Sequence, residues 1–183
     1  LWLQTAQLSM LMNLYRESTV DPLTKLINRR VLMRSVEQLK KQNKIDNASF
    51  SVIMFDLDRF KRINDSHGHQ IGDKVLIMAA ETIKEELKST DIIARYGGEE
   101  FLAILSGIQL NQAIDVAERI AKAIRTKSLL LDSGEKIYVT SSIGVTQYKA
   151  FEEIEETFKR VDDLLYHAKD QGRDRVISDA EVA

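Results

Sequence analysis

A glycine pair between two apolar runs is the feature that most constrains how this sequence can fold. Gly97 and Gly98 are followed at once by Glu99 and Glu100, and apolar residues flank this group on both sides. Glycine tolerates the positive φ angles of tight turns, so the segment predicts a β-hairpin spanning about residues 92–105. The turn would hold two carboxylates at a strand end, either as solvated glutamates or as ligands for a metal ion.

A second acidic strand end lies upstream of this hairpin. Residues 50–57 form a β-branched and aromatic run that predicts a strand, and it ends at Asp56 and Asp58. Cations and an Asn/Asp pair follow before residue 73. Carboxylates suit Mg²⁺, cations suit phosphates, and Asn with Asp can read the edge of a base, so this grouping indicates nucleotide chemistry.

With these residues the chain resembles a GGDEF domain, the diguanylate cyclase family. The motifs that carry the resemblance occur in the family's order over about residues 20–178: Asp21-Pro22-Leu23-Thr24, Leu26-x-Asn28-Arg29-Arg30, Phe55-Asp56-Leu57-Asp58-Arg59-Phe60-Lys61, Ile63-Asn64-Asp65, Gly68-His69, Gly72-Asp73, Gly97-Gly98-Glu99-Glu100-Phe101, Ser142-Ile143-Gly144-Val145 and Tyr166-x-Ala168-Lys169-x-x-Gly172-Arg173. The resemblance implies an α+β fold of the ferredoxin-like, palm type, with a mostly antiparallel five-stranded sheet flanked by helices.

The resemblance also implies an enzyme that condenses two GTP into cyclic di-GMP and two pyrophosphates, acting as a homodimer because each domain presents one GTP. Two alternatives stay open. One is a regulatory module that binds nucleotide or product without catalysis, although such members usually lose the signature acids, which are kept here. The other is a palm-fold cyclase that acts on a single nucleotide, which Asp73 and the signature disfavour.

The family's metal ligands correspond to Asp56, Glu99 and the backbone carbonyl of Leu57, with Glu100 assisting a second ion. Oxygen ligands suit Mg²⁺ or Mn²⁺, and the resemblance implies two ions per GTP. Glu99 also matches the catalytic residue that accepts the proton of the attacking hydroxyl. Each acid taken alone would be interpreted as a solvated residue at a strand end.

The phosphate-binding residues implied by the resemblance are cations and backbone amides. Lys61 matches the catalytic lysine that stabilises phosphate charge, and Lys169 and Arg173 match residues that hold the γ-phosphate. The amides of Arg59 and Phe60 could supplement them as an anion nest. On an unrelated helix, Lys169 and Arg173 would be interpreted as solvent-facing cations.

Guanine recognition is implied for Asn64 and Asp73, with His69 beside the substrate. A carboxylate accepts hydrogen bonds from guanine N1–H and N2–H₂, so Asp73 favours GTP over ATP; alternatively, Asn64 is a turn residue and Asp73 a helix-start carboxylate. The family's product-inhibition motif Arg-x-x-Asp is degenerate here, with Lys88 and Asp91. Lysine lacks the bidentate fork of arginine, so we expect weak product inhibition through this site.

The sequence is predicted to consist of an N-terminal helix followed by one domain. Residues 1–19 form a heptad-like helix with Leu1, Leu8 and Tyr15 at seven-residue spacing, either a signalling helix that pairs two protomers or a helix packed on its own domain. Residues 20–183 form the GGDEF domain. Because the sequence begins with leucine, we expect a piece of a longer protein with an upstream sensor domain.

The predicted elements follow from apolar spacing and breakers. Asp21 and Pro22 suit the start of a helix running from Leu23 to about Lys41, before a polar loop at 41–47. The remaining elements are expected as helices near 70–88, 110–127 and 152–170, a long strand at 137–148 and a short strand at 175–177. Lys25 and Asp174 replace residues that are often Gly and Asn in the family, and both positions look structural.

Composition adds limits on location and partners. The net charge of −2 argues against a nucleic-acid binder, and the absence of cysteine excludes disulfides and thiolate chemistry. No apolar stretch approaches the ~20 residues that cross a bilayer. We therefore expect a cytoplasmic domain, compatible with membrane anchoring of the parent protein elsewhere.

Overall fold

The structure is a computed structural model that describes residues 2–182. Its helices are α1 (Trp2–Thr19), α2 (Arg29–Asp46), α3 (Phe60–His67), α4 (His69–Glu86), α5 (Leu110–Thr126), α6 (Ile154–Asp170) and α7 (Asp179–Val182). Its strands are β1 (Ile27–Asn28), β2 (Phe50–Leu57), β3 (Ile92–Arg95), β4 (Glu100–Ser106), β5 (Ser128–Leu130), β6 (Lys136–Tyr138), β7 (Ser141–Gln147) and β8 (Val176–Ser178).

Six strands form one sheet in the order β1-β3-β4-β2-β7-β8, and β5 pairs only with β6. The central strand β2 is antiparallel to both β4 and β7, whereas β1–β3 and β7–β8 are parallel pairs. The predicted α+β fold class, with a mostly antiparallel sheet flanked by helices, is confirmed. The two-residue strand β1 adds a sixth strand to the five that were predicted.

Side chains of β2 alternate between two hydrophobic cores, as the pleat requires. Ile53, Phe55 and Leu57 pack in the core that includes residues of α4 and α5, while Val52 and Met54 pack with residues of α2 and α6. The same alternation directs the next even-numbered residue, Asp56, toward α6. The strand period therefore decides which helix can reach this carboxylate.

The predicted helix from Leu23 to Lys41 is wrong at both ends. Asp21 caps a turn rather than a helix, because its Oδ2 accepts hydrogen bonds from the amide and hydroxyl of Thr24 at 2.8 and 2.7 Å. The helix begins only at Arg29, where the side chain of Asn28 accepts from the amide of Val31 at 3.1 Å. Its last turn occupies most of the predicted loop 41–47, up to Asp46.

The predicted strand at 137–148 is two separate strands. Lys136–Tyr138 forms a separate antiparallel pair with β5, whereas Ser141–Gln147 joins the main sheet beside β2. Between them the carbonyl of Thr140 accepts a hydrogen bond from the amide of Asp58 at 2.9 Å, which ties this junction to the end of β2. The sequence analysis missed helix α3 and the β5–β6 hairpin because both are too short to show a clear period.

Helix α1 leaves its apolar side chains in solvent. Leu3, Leu8, Leu11 and Tyr15 are all more than half exposed, at 72%, 60%, 64% and 69%. The helix therefore does not bury this face against its own domain. Leu1, the first position of the predicted heptad, lies outside the described residues. No helix within residues 2–182 is long and apolar enough to cross a membrane.

We expect acid to weaken the attachment of α6 through Glu152. Burial alone would raise the pKa of this carboxyl, but hydrogen bonds from Arg160, Thr157 and the amide of Lys149 outweigh it and lower the pKa to about 2. A depressed carboxyl pKa stabilises the fold above the unfolded value of about 4.3 and stops doing so as the pH falls toward 2. Glu152→Gln should therefore lower the melting temperature at pH 7, and the deficit should shrink progressively below about pH 4.

The control for this measurement is Glu81→Gln, at an exposed position in the middle of α4. Its melting temperature should follow that of the unmodified chain at every pH. A Glu152→Gln deficit that is independent of pH would contradict the assignment to this ionised carboxylate.

Candidate active site

Two strand ends bring three carboxylates together. In the register of β2 and β4, Asp56 lies directly opposite Glu100. The amide of Leu57 donates to the carbonyl of Glu99 at 3.2 Å, which holds the hairpin against the end of β2. The structure thus brings together Asp56, Leu57, Glu99 and Glu100, the four residues predicted to bind metal.

The hairpin turn owes its shape to hydrogen bonds rather than to unusual glycine dihedrals. The amides of Tyr96 and Gly97 both donate to the carbonyl of Glu100, at 2.8 and 3.2 Å, and Arg95 donates to the carbonyl of Gly98 at 2.8 Å. The prediction that the glycines adopt positive φ is wrong for both. A Cβ at position 97 would lie 2.5 Å from Oε2 of Glu100, so a larger residue there would displace this carboxylate.

The pKa values of all three carboxyl groups are raised. For Asp56, Glu99 and Glu100 the largest cause is burial, and for both glutamates the nearby charge of Asp56 adds to it. Lys169 opposes the shift at all three groups. A cluster of this kind favours a cation in its midst.

That cation is supplied here by helix α6. Nζ of Lys169 donates to Oδ2 of Asp56 at 2.7 Å, and Asp56 is only 6% exposed. In this arrangement no group of three or more acidic, histidine or cysteine side chains within residues 2–182 has the geometry of a metal site. The oxygen donors nevertheless fit a divalent ion, provided that Lys169 moves away from Asp56.

Asp58 is a site residue whose part the sequence analysis left unassigned. Its buried carboxylate accepts from Ser142 Oγ at 2.6 Å, from Thr140 Oγ1 at 2.7 Å and from the amide of Asp174 at 3.0 Å. The last bond holds a loop in which Arg173 has a φ of 69° and Asp174 a φ of 47°. Asp58 therefore positions Arg173, and its place two residues after Asp56 was the available signal.

Arg29 also reaches this region without having been assigned a role. Its guanidinium lies 4.5 Å from the ring centroid of Tyr96, beside the turn that carries the glutamates. Its charge lowers the pKa of Glu100, against the larger effect of burial. A sequence cannot show this contact, because residues 29 and 96 meet only through the pairing of β1 with β3.

The residues predicted to recognise guanine sit on α3 and α4. Oδ1 of Asn64 is buried and has no hydrogen-bond partner, which leaves an acceptor available for a ligand. His69, Asp73 and the predicted catalytic residue Lys61 are exposed, and none of their side chains makes a hydrogen bond or ion pair within the described part of the chain. Their predicted roles stay predictions.

We expect Gly72→Ala to impair nucleotide binding by displacing Asn64. A Cβ at position 72 would overlap Oδ1 of Asn64, and Cζ of Phe60 lies 3.2 Å away on another side. The affinity for GTP should fall by on the order of tenfold, about 1.4 kcal/mol, with the fold retained. Isothermal titration with GTP would measure it.

A double-mutant cycle provides the control for this prediction. Because Gly72→Ala acts by moving Asn64, adding it to Asn64→Ala should cause little further loss. Fully additive losses in the double variant would contradict the proposed displacement.

The predicted product-inhibition residues form a turn of their own. Oδ2 of Asp91 accepts from the amide of Lys88 at 2.9 Å, and the amide of Asp91 donates to the carbonyl of Lys88 at 3.0 Å. The Asp91 carboxylate is thus already engaged in a local hydrogen bond.

Comparison with known proteins identifies the family. The family described as "Diguanylate cyclase, GGDEF domain" matches residues 18–175. This chain belongs to the GGDEF family. The predicted family is confirmed, and its signature is the hairpin that carries Glu99 and Glu100.

Two curated relatives illustrate the similarity within the family. The chain is 40% identical over 158 residues to diguanylate cyclase DgcM of Escherichia coli strain K12, covering 86% of this chain and 38% of the relative. It is 45% identical over 129 residues to diguanylate cyclase A of Treponema denticola, covering 70% and 34%. The chain thus spans well under half the length of these relatives.

Solved structures of the family share the fold. The coiled coil and GGDEF domain of DgcB from Caulobacter crescentus, crystallised with c-di-GMP, matches with a TM-score of 0.90 at 28% identity. The match covers 96% of this chain and 95% of that one. The similarity therefore includes most of α1 as well as the sheet and its helices.

Proposed function

We propose that this chain is a diguanylate cyclase domain that condenses two GTP molecules into cyclic di-GMP with release of two pyrophosphates. Membership of the GGDEF family and curated relatives named diguanylate cyclases support the activity. The observation that carries the proposal is the pairing of Asp56 with Glu100 across two strands, with Glu99 beside them and Lys169 on Asp56.

In the proposed reaction the 3′-hydroxyl of one GTP attacks the α-phosphate of the other. A phosphorus–oxygen bond forms, the bond to pyrophosphate breaks, and the hydroxyl proton passes to Glu99. The 3′-hydroxyl of the second GTP attacks the first in the same way, with its proton passing to Glu99 of the other domain, so that the ring closes and the second pyrophosphate leaves. Lys169 and Arg173 hold the terminal phosphates, Lys61 stabilises charge, and the amides of Arg59 and Phe60 add donors.

The acids of this site would hold the divalent cations that such a reaction uses. Asp56, Glu99, Glu100 and the carbonyl of Leu57 supply oxygen ligands for Mg²⁺ or Mn²⁺, with two ions per GTP. When bound, such ions neutralise phosphate charge and orient the reacting groups. Asn64 and Asp73 would accept hydrogen bonds from the guanine edge, with His69 beside it.

We propose further that catalysis requires a homodimer and that α1 assists its formation. One domain supplies one GTP and half of the reacting groups, so two must face each other. The exposed leucines of α1 are suited to pairing with a second copy, and the DgcB relative was crystallised with a coiled coil. An upstream sensor domain in a cytoplasmic or membrane-anchored parent protein would control this pairing.

Incubation of the purified domain with GTP and Mg²⁺, followed by chromatography of the products, tests the function. We expect cyclic di-GMP and pyrophosphate, with a rate per domain that rises with protein concentration as dimers form. Replacing α1 by a strong dimeric zipper should raise activity at low concentration. No product at any concentration in the zipper fusion would favour a module that binds nucleotide without catalysis.

We expect cyclic di-GMP to bind weakly at Lys88 and Asp91. Lysine offers no bidentate fork, and Asp91 is engaged with the amide of Lys88. Titration calorimetry should show no tight saturable binding, and Lys88→Arg should tighten binding by on the order of tenfold. Tight binding by the unmodified domain that is lost on Asp91→Ala would contradict this prediction.

A further inference from the structure

A cavity of about 540 Å³ lies beside the proposed active site but apart from its guanine-facing side. It is bounded by the face of α3 that carries Arg62 and Ser66, by the β6–β7 junction and by the loop around Arg173. Asn64 and Asp73 are not among its walls. The size falls in the range of cavities that hold small organic ligands, roughly 300–1,000 Å³.

Four cationic side chains on this cavity have no ion pair within residues 2–182. They come from three separate parts of the chain: Arg59, Arg62, Lys136 and Arg173. The ion pairs that the structure describes involve other cations, among them Lys40, His67, Arg95, Arg119, Arg125, Lys127, Lys159, Arg160 and Lys169. The charge of the four cations on the cavity is therefore available to an anion.

The carboxylates on the cavity wall do not cancel this charge, because there are three of them against four cations and one is already paired with an arginine outside the cavity. Asp58 accepts three hydrogen bonds from the groups around it. Asp174 pairs with Arg125, whose Nη2 lies 2.8 Å from its Oδ1. Glu135 lies 3.4 Å from Nε2 of His67. Of these carboxylates only Asp174 is paired with an arginine, so the four cations of the cavity face two further carboxylates and are in excess.

Two further features indicate the kind of molecule that would fit. Nδ1 of His67 is buried without a hydrogen-bond partner, so one polar group of the wall is unsatisfied. Ile137 and Val139 supply a buried apolar floor, at 6% and 4% exposure, next to the ring of Tyr138. An anionic group alone would leave this apolar floor uncovered. A phosphate attached to a ring would bind the cations through its phosphate and cover the floor with its ring.

We propose that this cavity is a second ligand site, which takes a small molecule bearing both a phosphate or pyrophosphate group and an apolar ring. Its phosphate would contact Arg62 and Lys136, and its ring would rest on Ile137 and Val139. Arg59 and Arg173 border both this cavity and the phosphate side of the proposed GTP site. Occupancy of the cavity therefore opposes GTP binding by drawing the side chain of Arg173 away from the terminal phosphates, whereas Arg59 would offer GTP only its backbone amide.

ADP in magnesium-free buffer is the probe, because it carries a pyrophosphate and a ring that Asp73 does not favour. Titration calorimetry should show saturable binding that weakens as salt is added. The double variant Arg62→Gln/Lys136→Gln should lose at least about tenfold in ADP affinity while it keeps its affinity for GTP. Lys84→Gln, an exposed cation on α4 away from the cavity, should leave ADP binding unchanged.

The proposed GTP site is tested separately with Lys169→Met. If ADP occupies the cavity, this variant should bind ADP normally. The proposal is overturned if Lys169→Met loses ADP binding while the double variant keeps it. That result would mean that ADP occupies the GTP phosphate site. Absence of ADP binding to the unmodified chain would also overturn the proposal. Neither result depends on whether the domain synthesises cyclic di-GMP.

Discussion

Asp56→Asn should reduce cyclic di-GMP synthesis by on the order of a thousandfold while leaving the fold intact. The substitution keeps the shape of the side chain and removes the charge that lies at the centre of the acidic cluster. Burial raises the pKa of Asp56, and the opposing effect of the hydrogen bond from Lys169 is smaller. Because the pKa is higher in the folded state, keeping this carboxyl ionised at neutral pH lowers the stability of the fold. We therefore expect the melting temperature at pH 7 to be unchanged or higher.

The measurement compares turnover of GTP and thermal unfolding in the same preparations. Asp163→Asn is the matched control, because this exposed acid pairs only with Lys159 one turn away on α6 and should change neither quantity. Substantial activity in a correctly folded Asp56→Asn domain would contradict the proposed role of this carboxylate.

Gly144→Ala should destabilise the domain by about 3 kcal/mol, although position 144 takes no part in the chemistry. Gly144 faces α6 from β7, and a Cβ there would lie 2.5 Å from the carbonyl oxygen of Val161 and 2.7 Å from the amide nitrogen of Leu165. These are backbone atoms of a helix, so they cannot turn aside as a side chain could. The sheet and α6 would have to separate.

Thermal unfolding should show a fall of roughly 10 °C for a domain of this size. Activity should fall as well, because α6 carries Lys169. Gly98→Ala is the control for stability, since nothing lies within 4 Å of a Cβ at that position and its φ is not left-handed. Equal melting temperatures for the two variants would contradict the close approach of α6 to β7.

The order of the motifs in the sequence was enough to predict the family and, through that resemblance, the fold class. Strand β2 itself follows from local chemistry, since a run of β-branched and aromatic residues favours a strand. Helix α2 was predicted wrongly because Asp21 is an equally good cap for a turn and for a helix. The structure decides between the two, because the carboxylate of Asp21 accepts hydrogen bonds from the amide and the hydroxyl of Thr24 and so closes a turn.

What the sequence determined, through its resemblance to the family, is which residues are candidates for the chemistry: the acids at the ends of β2 and β4, the cations of α6 and the Asn/Asp pair after β2. What only the tertiary structure decided is how those residues meet. Lys169 and Asp56 are 113 positions apart, and they touch because α6 packs on the face of β2 to which Asp56 points. The cavity at Arg62 and Lys136 likewise exists only where α3, β6 and the loop at Arg173 converge. Contacts of this kind follow from packing between distant segments, which no local pattern encodes.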